Sequence, residues 1–482
     1  MTAATPSVPR ASGDPLPELA AFLRPYAALF HNRQSWRSVE RYLTGLLTDL
    51  SHKNCQTVAD AVAGTSTERL QHLLTDAVWD AQAVDRARVQ TLVAHSPPSS
   101  AAGILVLDDT GLPKRGSASV GVEHQYSGTL GKQGTCQIVV SAEYVVDDPT
   151  TSTPLHWPVT AQLYLPQVWA GDPPRRRRAQ VPDELPFAPK TDLALALLDR
   201  ARAWGVPFHV VVADAGYGDA PSFLAALEQR AVPYVCAVGK TFGVRLPDDV
   251  RALTASSPFS TSPRQRGRGQ PKKPRPATRH TVAAVVATLP QEVWQTVRWR
   301  EGNKGVLQKQ AVAMRAHWAT GSARHSATHG RVGTGPEGWL IAERPLPGHG
   351  GEHKYFFSSL SDDIPLQRLV ELAHSRWAIE QFYEDAKGEC GLDHYQGRRW
   401  DGLHRHVALV MLAYSFLVLQ SLRSRPARAA NGALPPLGSL DTRPDIARRS
   451  SPGAGLALPG SGPVATPERP DQFLSPPEKL TK

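Results

Sequence analysis

From Leu16 to about His95, apolar side chains recur three to four positions apart, as in Leu19-Ala20-Ala21-Phe22-Leu23, Tyr42-Leu43-Thr44-Gly45-Leu46-Leu47 and Leu70-Gln71-His72-Leu73-Leu74. That spacing stacks them on one helical face. Polar joints such as Ser51-His52-Lys53-Asn54 separate the segments, so a small helical bundle is predicted. The pattern then shortens. Leu105-Val106-Leu107 and Val210-Val211-Val212-Ala213 are continuous apolar runs of strand length, and Gln137 to Val146 and Val159 to Leu165 read as two more strands, joined as antiparallel hairpins. Thr191 to Trp204 is an amphipathic helix carrying Leu193, Leu195, Leu197 and Leu198; a helix over Ala220 to Ala231 and a strand over Val232 to Val238 follow. Farther on, Val282 to Leu289, Trp294 to Arg300, Ala311 to Trp318 and Trp339 to Arg344 read as strands of an antiparallel sheet. Leu372 to Lys387 holds neither Pro nor Gly and reads as one helix. Val407 to Leu419 falls short of the roughly 20 apolar residues that span a bilayer, so it is read as a core helix. After Leu422 the periodicity stops and Pro, Gly, Ser and Arg dominate; residues 424–482 are expected to be a disordered tail.

Two of the strands finish on acids. Leu107-Asp108-Asp109-Thr110-Gly111 and Ala213-Asp214-Ala215-Gly216 would put carboxylates at neighbouring strand ends, with a glycine-containing turn after each. Oxygen ligands of that kind suit a hard cation such as Mg²⁺, so a third carboxylate is sought downstream. Glu380 is the candidate. On a helix Arg376, Glu380, Tyr383 and Lys387 share one face, a carboxylate flanked by cations. A solvated salt-bridge face would produce the same stripe, and the two aspartates upstream tip the balance towards a site.

These segments resemble the DDE transposases of bacterial insertion sequences, of the insertion-sequence-four type. The likeness rests on Asp-Thr-Gly after one strand, Asp214-Ala215-Gly216-Tyr217-Gly218 after another, and Arg376-Trp377-Ala378-Ile379-Glu380-Gln381-Phe382-Tyr383 leading to Lys387-Gly388-Glu389. It extends through Lys114-Arg115-Gly116, Gln125 to Lys132 and Gly391 to Tyr395, from about the first helix to Leu422. The family's signature around its last acid is Tyr, two residues, Arg, three residues, Glu, six residues, Lys. Arg376, Glu380 and Lys387 keep that spacing, while Ala373 stands at the Tyr position. The resemblance implies an α/β fold, an RNase H-like mixed five-stranded sheet with helices, interrupted by a β-rich insertion and preceded by a helical N-terminal domain. The order three strands, helix, strand, helix, strand agrees with it. Asp214 and Glu380 lie 166 positions apart, against 105 from Asp109 to Asp214, which leaves room for the insertion.

The expected organisation is a flexible N-terminus (1–15), a helical DNA-binding domain (16–100), the catalytic domain in two parts (101–240 and 351–423) around a β-rich insertion (241–350), and the tail. Arg33, Arg37, Arg41 and Lys53 are candidates for laying a helix of the first bundle on DNA, with a scaffolding bundle as the rival reading. Within the insertion, residues 256–280 hold Arg264, Arg266, Arg268, Lys272, Lys273 and Arg275 and no acid, a basic Pro/Gly-rich run suited to phosphate contact or to a solvated linker.

Formal net charge is +10, which favours a polyanionic partner, although a skewed composition rich in Arg could raise it alone. Cys55, Cys136, Cys236 and Cys390 form no close pair, so neither a zinc pattern nor a disulfide framework is read from them, and a reducing compartment is expected. No basic-then-apolar leader opens the sequence. The expectation is a cytoplasmic, nucleoid-associated bacterial protein with no membrane role.

The resemblance implies two Mg²⁺ ions, with Mn²⁺ able to substitute, held by Asp109, Asp214 and Glu380. Asp109 is preferred over Asp108 because it directly precedes Thr110, and Asp108 is kept as the alternative ligand. Arg376, Lys387, Tyr383 and Lys114 are candidates for gripping DNA. Trp377 is a candidate for base stacking, with core packing as the rival. His124, His374 and His394 have no His or Cys partner at metal spacing and are read as structural or phosphate contacts. The implied activity is cut-and-paste transposition on double-stranded DNA, both element ends and target, by a homodimer. The alternatives are a catalytically impaired, transposase-derived repressor and an RNase H-like nuclease that joins nothing.

Overall fold

The computed structural model describes residues 10–96, 103–128, 131–147, 154–255, 278–302, 305–320 and 333–424. The basic run with Arg264, Arg266, Arg268, Lys272, Lys273 and Arg275 and the expected tail beyond 424 lie outside them.

The chain opens with α1 (Pro17–Leu23), α2 (Arg33–Leu46), α3 (Cys55–Ala61), α4 (Thr67–Thr75) and α5 (Ala81–His95). Side-chain caps fix several starts: Asn32 accepts the Ser35 N–H at 2.8 Å, and Asn54 with Thr57 forms a reciprocal capping box. α2, α4 and α5 pack on α15 (Trp400–Ser424), the last described helix, and Phe22 of α1 meets its Phe416, so the first and last helical segments share one core. Buried polar ties mark the join. Arg88, fully buried on α5, pairs with Asp85 and donates to the Pro158 and Val159 carbonyls, and the Tyr42 hydroxyl meets His406 Nδ1 at 2.8 Å. Lys53 belongs to this set. Its ammonium is buried and donates to the carbonyls of Leu46, Thr48 and Glu389 at 2.6–2.8 Å, so it has no charge to offer DNA, contrary to the expectation from sequence. Arg33 and Arg37 are exposed. The apolar stretch Trp400–Arg423 is long and apolar enough to cross a membrane, but 83% of its most apolar 18-residue window is buried within the fold.

The sheet is built on β1 (Gly103–Pro113), β2 (Glu123–Ser127), β3 (Lys132–Val146), β4 (His156–Tyr164), β5 (Phe208–Ala213) and β6 (Tyr234–Val238). β3 runs antiparallel to both β1 and β4, and β1, β5 and β6 run parallel, giving the order β4-β3-β1-β5-β6. That is the expected five-stranded mixed core. Helices α6 (Gln167–Ala170), α7 (Pro173–Ala179) and α8 (Lys190–Ala203) lie between β4 and β5; α9 (Ala215–Gly218) and α10 (Pro221–Gln229) lie between β5 and β6.

One expectation about β1 is corrected. The strand does not break into a turn after Asp109. Pairing with β5 stops at Leu107, but the ladder with β3 continues to Pro113. Gly111 serves close packing: a Cβ there would come within 2.0 Å of the Ser127 hydroxyl.

Beyond β6 the sheet continues through β7 (Gly243–Arg245), β8 (His280–Thr281), β9 (Gln295–Gly302), β10 (Gly305–Ala319), β11 (Thr334–Arg344) and β12 (Lys354–Ser358), with α11 (Pro247–Ala255) and α12 (Val282–Ala287) alongside. β12 pairs with β6, then β11 with β12 and β10 with β11, so twelve strands among the described residues form one sheet. Val282 to Leu289, expected as a strand, is mostly α12. Val282, Val285 and Val286 are its buried positions, a helical spacing, and the Thr281 hydroxyl caps Ala284.

The single helix expected over Leu372 to Lys387 is two, α13 (Leu366–His374) and α14 (Trp377–Gly388). The Ser375 hydroxyl bonds the Leu372 carbonyl at the break, a local bond that competes with the helix ladder. Strand β9 clasps both helices. Trp299 stacks on His374 at 3.9 Å, and the Arg300 guanidinium lies 4.1 Å over the Trp377 ring. His374 also bonds the buried Glu343 carboxylate at 2.9 Å, a structural role.

Candidate active site

Alternate residues of a strand face opposite ways, and β1 uses both faces at its acids. α14 packs on one face and α8 on the other. Asp108 and Thr110 face α14: Arg376 donates to Asp108 Oδ2 at 2.8 Å, and Lys387 Nζ reaches the Thr110 hydroxyl at 2.7 Å. Asp109 faces α8. Lys190 Nζ, from the first residue of that helix, sits 3.1 Å from both Asp109 oxygens, and the Tyr217 hydroxyl donates to Asp109 Oδ2 at 3.2 Å.

Asp214 ends β5 and opens α9, its Oδ1 accepting the Gly216 N–H at 2.9 Å. Glycine is needed one turn on, because a Cβ on Gly218 would strike the Ala237 carbonyl at 2.0 Å. Glu380, on the first turn of α14, is exposed and ion-paired to Arg376. The guanidinium of Arg376 therefore bridges Asp108 and Glu380, acids 272 positions apart in the chain.

The electrostatics follow the crowding. Burial, and then the charge of Asp214, push the Asp108 carboxyl up to about 7, against the pull of Arg376. Burial and Asp109 raise Asp214 as well. Burial works against the charge on Arg376, but Asp108, Glu380 and Asp214 offset it and its value rises. Three aspartates thus form one repelling group, with Glu380 joined to it through a guanidinium. Among the described residues no three His, Cys, Asp or Glu side chains stand at metal-ligand spacing. The donors are all carboxylate oxygens, four acids beside Arg376, Lys190 and Lys387, a donor type that suits a hard divalent cation.

Other residues singled out from sequence fare differently. Lys387 stays within the site, and burial lowers its value. Tyr383 is buried, and burial and then Asp108 hold its phenol well above its ordinary value. One face of the half-buried Trp377 is covered by Arg300, and its ring meets His156 in a T-shaped contact. Lys114 donates to the carbonyls of Asp393 and Tyr395 at 3.0 and 2.6 Å, and burial lowers it to about 8; its ammonium braces the backbone rather than meeting DNA. His394 Nδ1 accepts the Lys53 backbone N–H, and His124 is exposed on β2.

Sequence reasoning gave no role to Lys190, which nothing in its neighbourhood marks, or to Tyr217, whose place in Asp-Ala-Gly-Tyr-Gly was a usable signal. It also passed over Arg175-Arg176-Arg177-Arg178 on α7. Arg175 lies 3.8 Å over Trp169 and Arg176 is buried on carbonyls, so only Arg177 and Arg178 are exposed.

Residues 25–306 match the family model described as DDE superfamily endonuclease. The chain belongs to that superfamily. The match takes in α2 to α5 and all three aspartates of this DDE endonuclease, and ends before Glu380. A relative, the probable transposase for insertion sequence element IS701 of Microchaete diplosiphon, is 27% identical over 216 residues, 44% of this chain and 51% of the relative. The chain therefore spans about half the length of the curated relative it matches.

Proposed function

We propose that this DDE endonuclease is a transposase that cuts at the ends of an insertion sequence and joins the 3′-hydroxyl ends to target DNA, with Asp108, Asp214 and Glu380 as its acidic trio. The observation that carries the reading is the Arg376 bridge, which links Asp108 to Glu380 and lies within reach of the Asp214 charge. Asp109 is the rival first acid on sequence; its engagement by Lys190 and Tyr217 on the other face favours Asp108.

The trio would hold two Mg²⁺ ions, which when bound activate an oxygen nucleophile and neutralise the leaving oxygen. The chain's own groups prepare for this. Asp108 would hold a cation in its ionised form, which Arg376 already favours against burial and the charge of Asp214. Arg376 serves as a counter-ion to the acids before it serves as a phosphate contact. Lys387, beside Thr110, is positioned to meet a backbone phosphate next to Asp108, and a point charge suffices there. The basic run from Arg264 to Arg275 supplies further phosphate contacts, and a homodimer pairs the two ends.

The test is supercoiled donor plasmid carrying the element's ends, incubated with protein and Mg²⁺. Asp108→Asn, Asp214→Asn and Glu380→Gln each abolish nicking and leave binding of end DNA within about threefold, an energy of under about 1 kcal/mol. Nicking that survives any of them removes that residue. End binding without nicking by the unaltered protein favours a repressor, and nicking with no joined products on a second plasmid favours a nuclease.

A further inference from the structure

We propose that Asp109, Lys190 and Tyr217 are positioning residues that set the Asp214 carboxylate, an inference that rests on the reading of Asp108, Asp214 and Glu380 as the metal-holding acids.

Asp109 lies on the face of β1 away from α14, and its carboxylate joins side chains from two elements. From α8 comes the Lys190 ammonium, 3.1 Å from each oxygen. From α9 comes the Tyr217 hydroxyl at 3.2 Å. An ionised carboxylate only accepts, so it can take both donors at once. Tyr217 is 1% exposed, and burial first, then Asp109, keep its phenol protonated and therefore a donor.

The consequence falls on Asp214. It lies three residues before Tyr217, and α9 is a single turn whose Tyr217 and Gly218 N–H groups both bond the Asp214 carbonyl. Gly218 is pressed against the Ala237 carbonyl of β6, so the turn cannot slide towards that strand. Asp109 holds its other side. The direction of the Asp214 side chain is thus fixed by a clamp running β1, Tyr217, β6, with Lys190 holding the Asp109 end in place. Partners that orient a ligating carboxylate without touching the metal are a general feature of metal sites, and losing one typically weakens binding 10- to 100-fold.

The experiment is Mn²⁺ binding to the full-length protein without DNA, followed by electron paramagnetic resonance. Asp214→Asn abolishes the tight site. Tyr217→Phe, which keeps the packing, Asp109→Asn and Lys190→Gln each weaken it by about tenfold, and the Asp109→Asn/Tyr217→Phe double variant is no weaker than the weaker single one, because both remove the same bond. Wild-type affinity in Tyr217→Phe and Lys190→Gln overturns the proposal. So does complete loss in Asp109→Asn, which would make Asp109 a ligand itself. Should Asp214→Asn bind Mn²⁺ as the unaltered protein does, the metal-site reading beneath the proposal is what fails.

Discussion

Replacing Asp108 by Asn should make the metal-free protein more stable at pH 8 than at pH 5 relative to wild type. Asp108 is 7% exposed and its carboxyl is raised from an ordinary value of 3.8 to about 7 by burial and Asp214. Because the folded value lies above the unfolded one, the stability tied to this group is complete below about pH 4 and is lost as pH rises through about 7. At about 1.36 kcal/mol for each tenfold change, holding Asp108 ionised in the fold costs about 4 kcal/mol in all, of which about 2–3 kcal/mol develops between pH 5 and pH 8. Asn has the shape of the neutral acid and escapes that cost, although it also gives up the Arg376 ion pair. The curves to compare are urea unfolding of wild type and Asp108→Asn in EDTA, at intervals from pH 5 to 8. They should diverge by about 2–3 kcal/mol, with the variant gaining as pH rises. Adding Mg²⁺ should restore stability to wild type alone. Parallel curves would mean that Asp108 is ionised without penalty, and the crowding argument for the site would fall with it.

Two further outcomes separate structural cations from functional ones. Lys53→Met should cost about 2–4 kcal/mol in urea unfolding, since it leaves three buried carbonyl contacts unmade, and should leave end-DNA affinity unchanged at temperatures where the variant is folded; a loss of affinity in the folded variant would return Lys53 to the DNA surface. Lys387→Ala should reduce the slope of log affinity against log salt for end DNA by about 0.9, one phosphate's share. An unchanged slope would confine Lys387 to its bond with Thr110.

The acids were legible in the sequence because Asp108, Asp109 and Asp214 each follow a continuous apolar run of strand length, which is a local signal. The choice between Asp108 and Asp109 was not, since adjacent strand residues differ only in the face they take, and the face is set by which helix packs there. Arg376, Glu380 and Lys387 could be found from helical spacing alone. Their real arrangement depends on the break at Ser375, a hydroxyl-to-carbonyl bond with no periodic signal. Lys53 and Lys114 looked like DNA contacts because a lysine's sequence neighbourhood does not say whether its ammonium ends in water or on backbone carbonyls. The strand run in the insertion was readable from alternation, except at α12, where the buried valines at 282, 285 and 286 repeat at helical spacing.

The insertion carries a consequence for how the third acid is delivered. Strands β10, β11 and β12 extend the core sheet from its β6 edge, so these described strands between Asp214 and Glu380 belong to the same sheet as the strands that hold the aspartates. β9, at the far side of β10, then reaches α13 and α14 through Trp299 on His374 and Arg300 on Trp377, three residues before Glu380. α14 thus rests on β1, β3 and β4 of the core sheet and on α15, and β9 meets its first residue through Arg300 on Trp377. An insertion that merely hung from a loop could not do this. The described strands of this long excursion remain hydrogen-bonded to the core sheet, and through β9 they also touch the helix that carries Glu380.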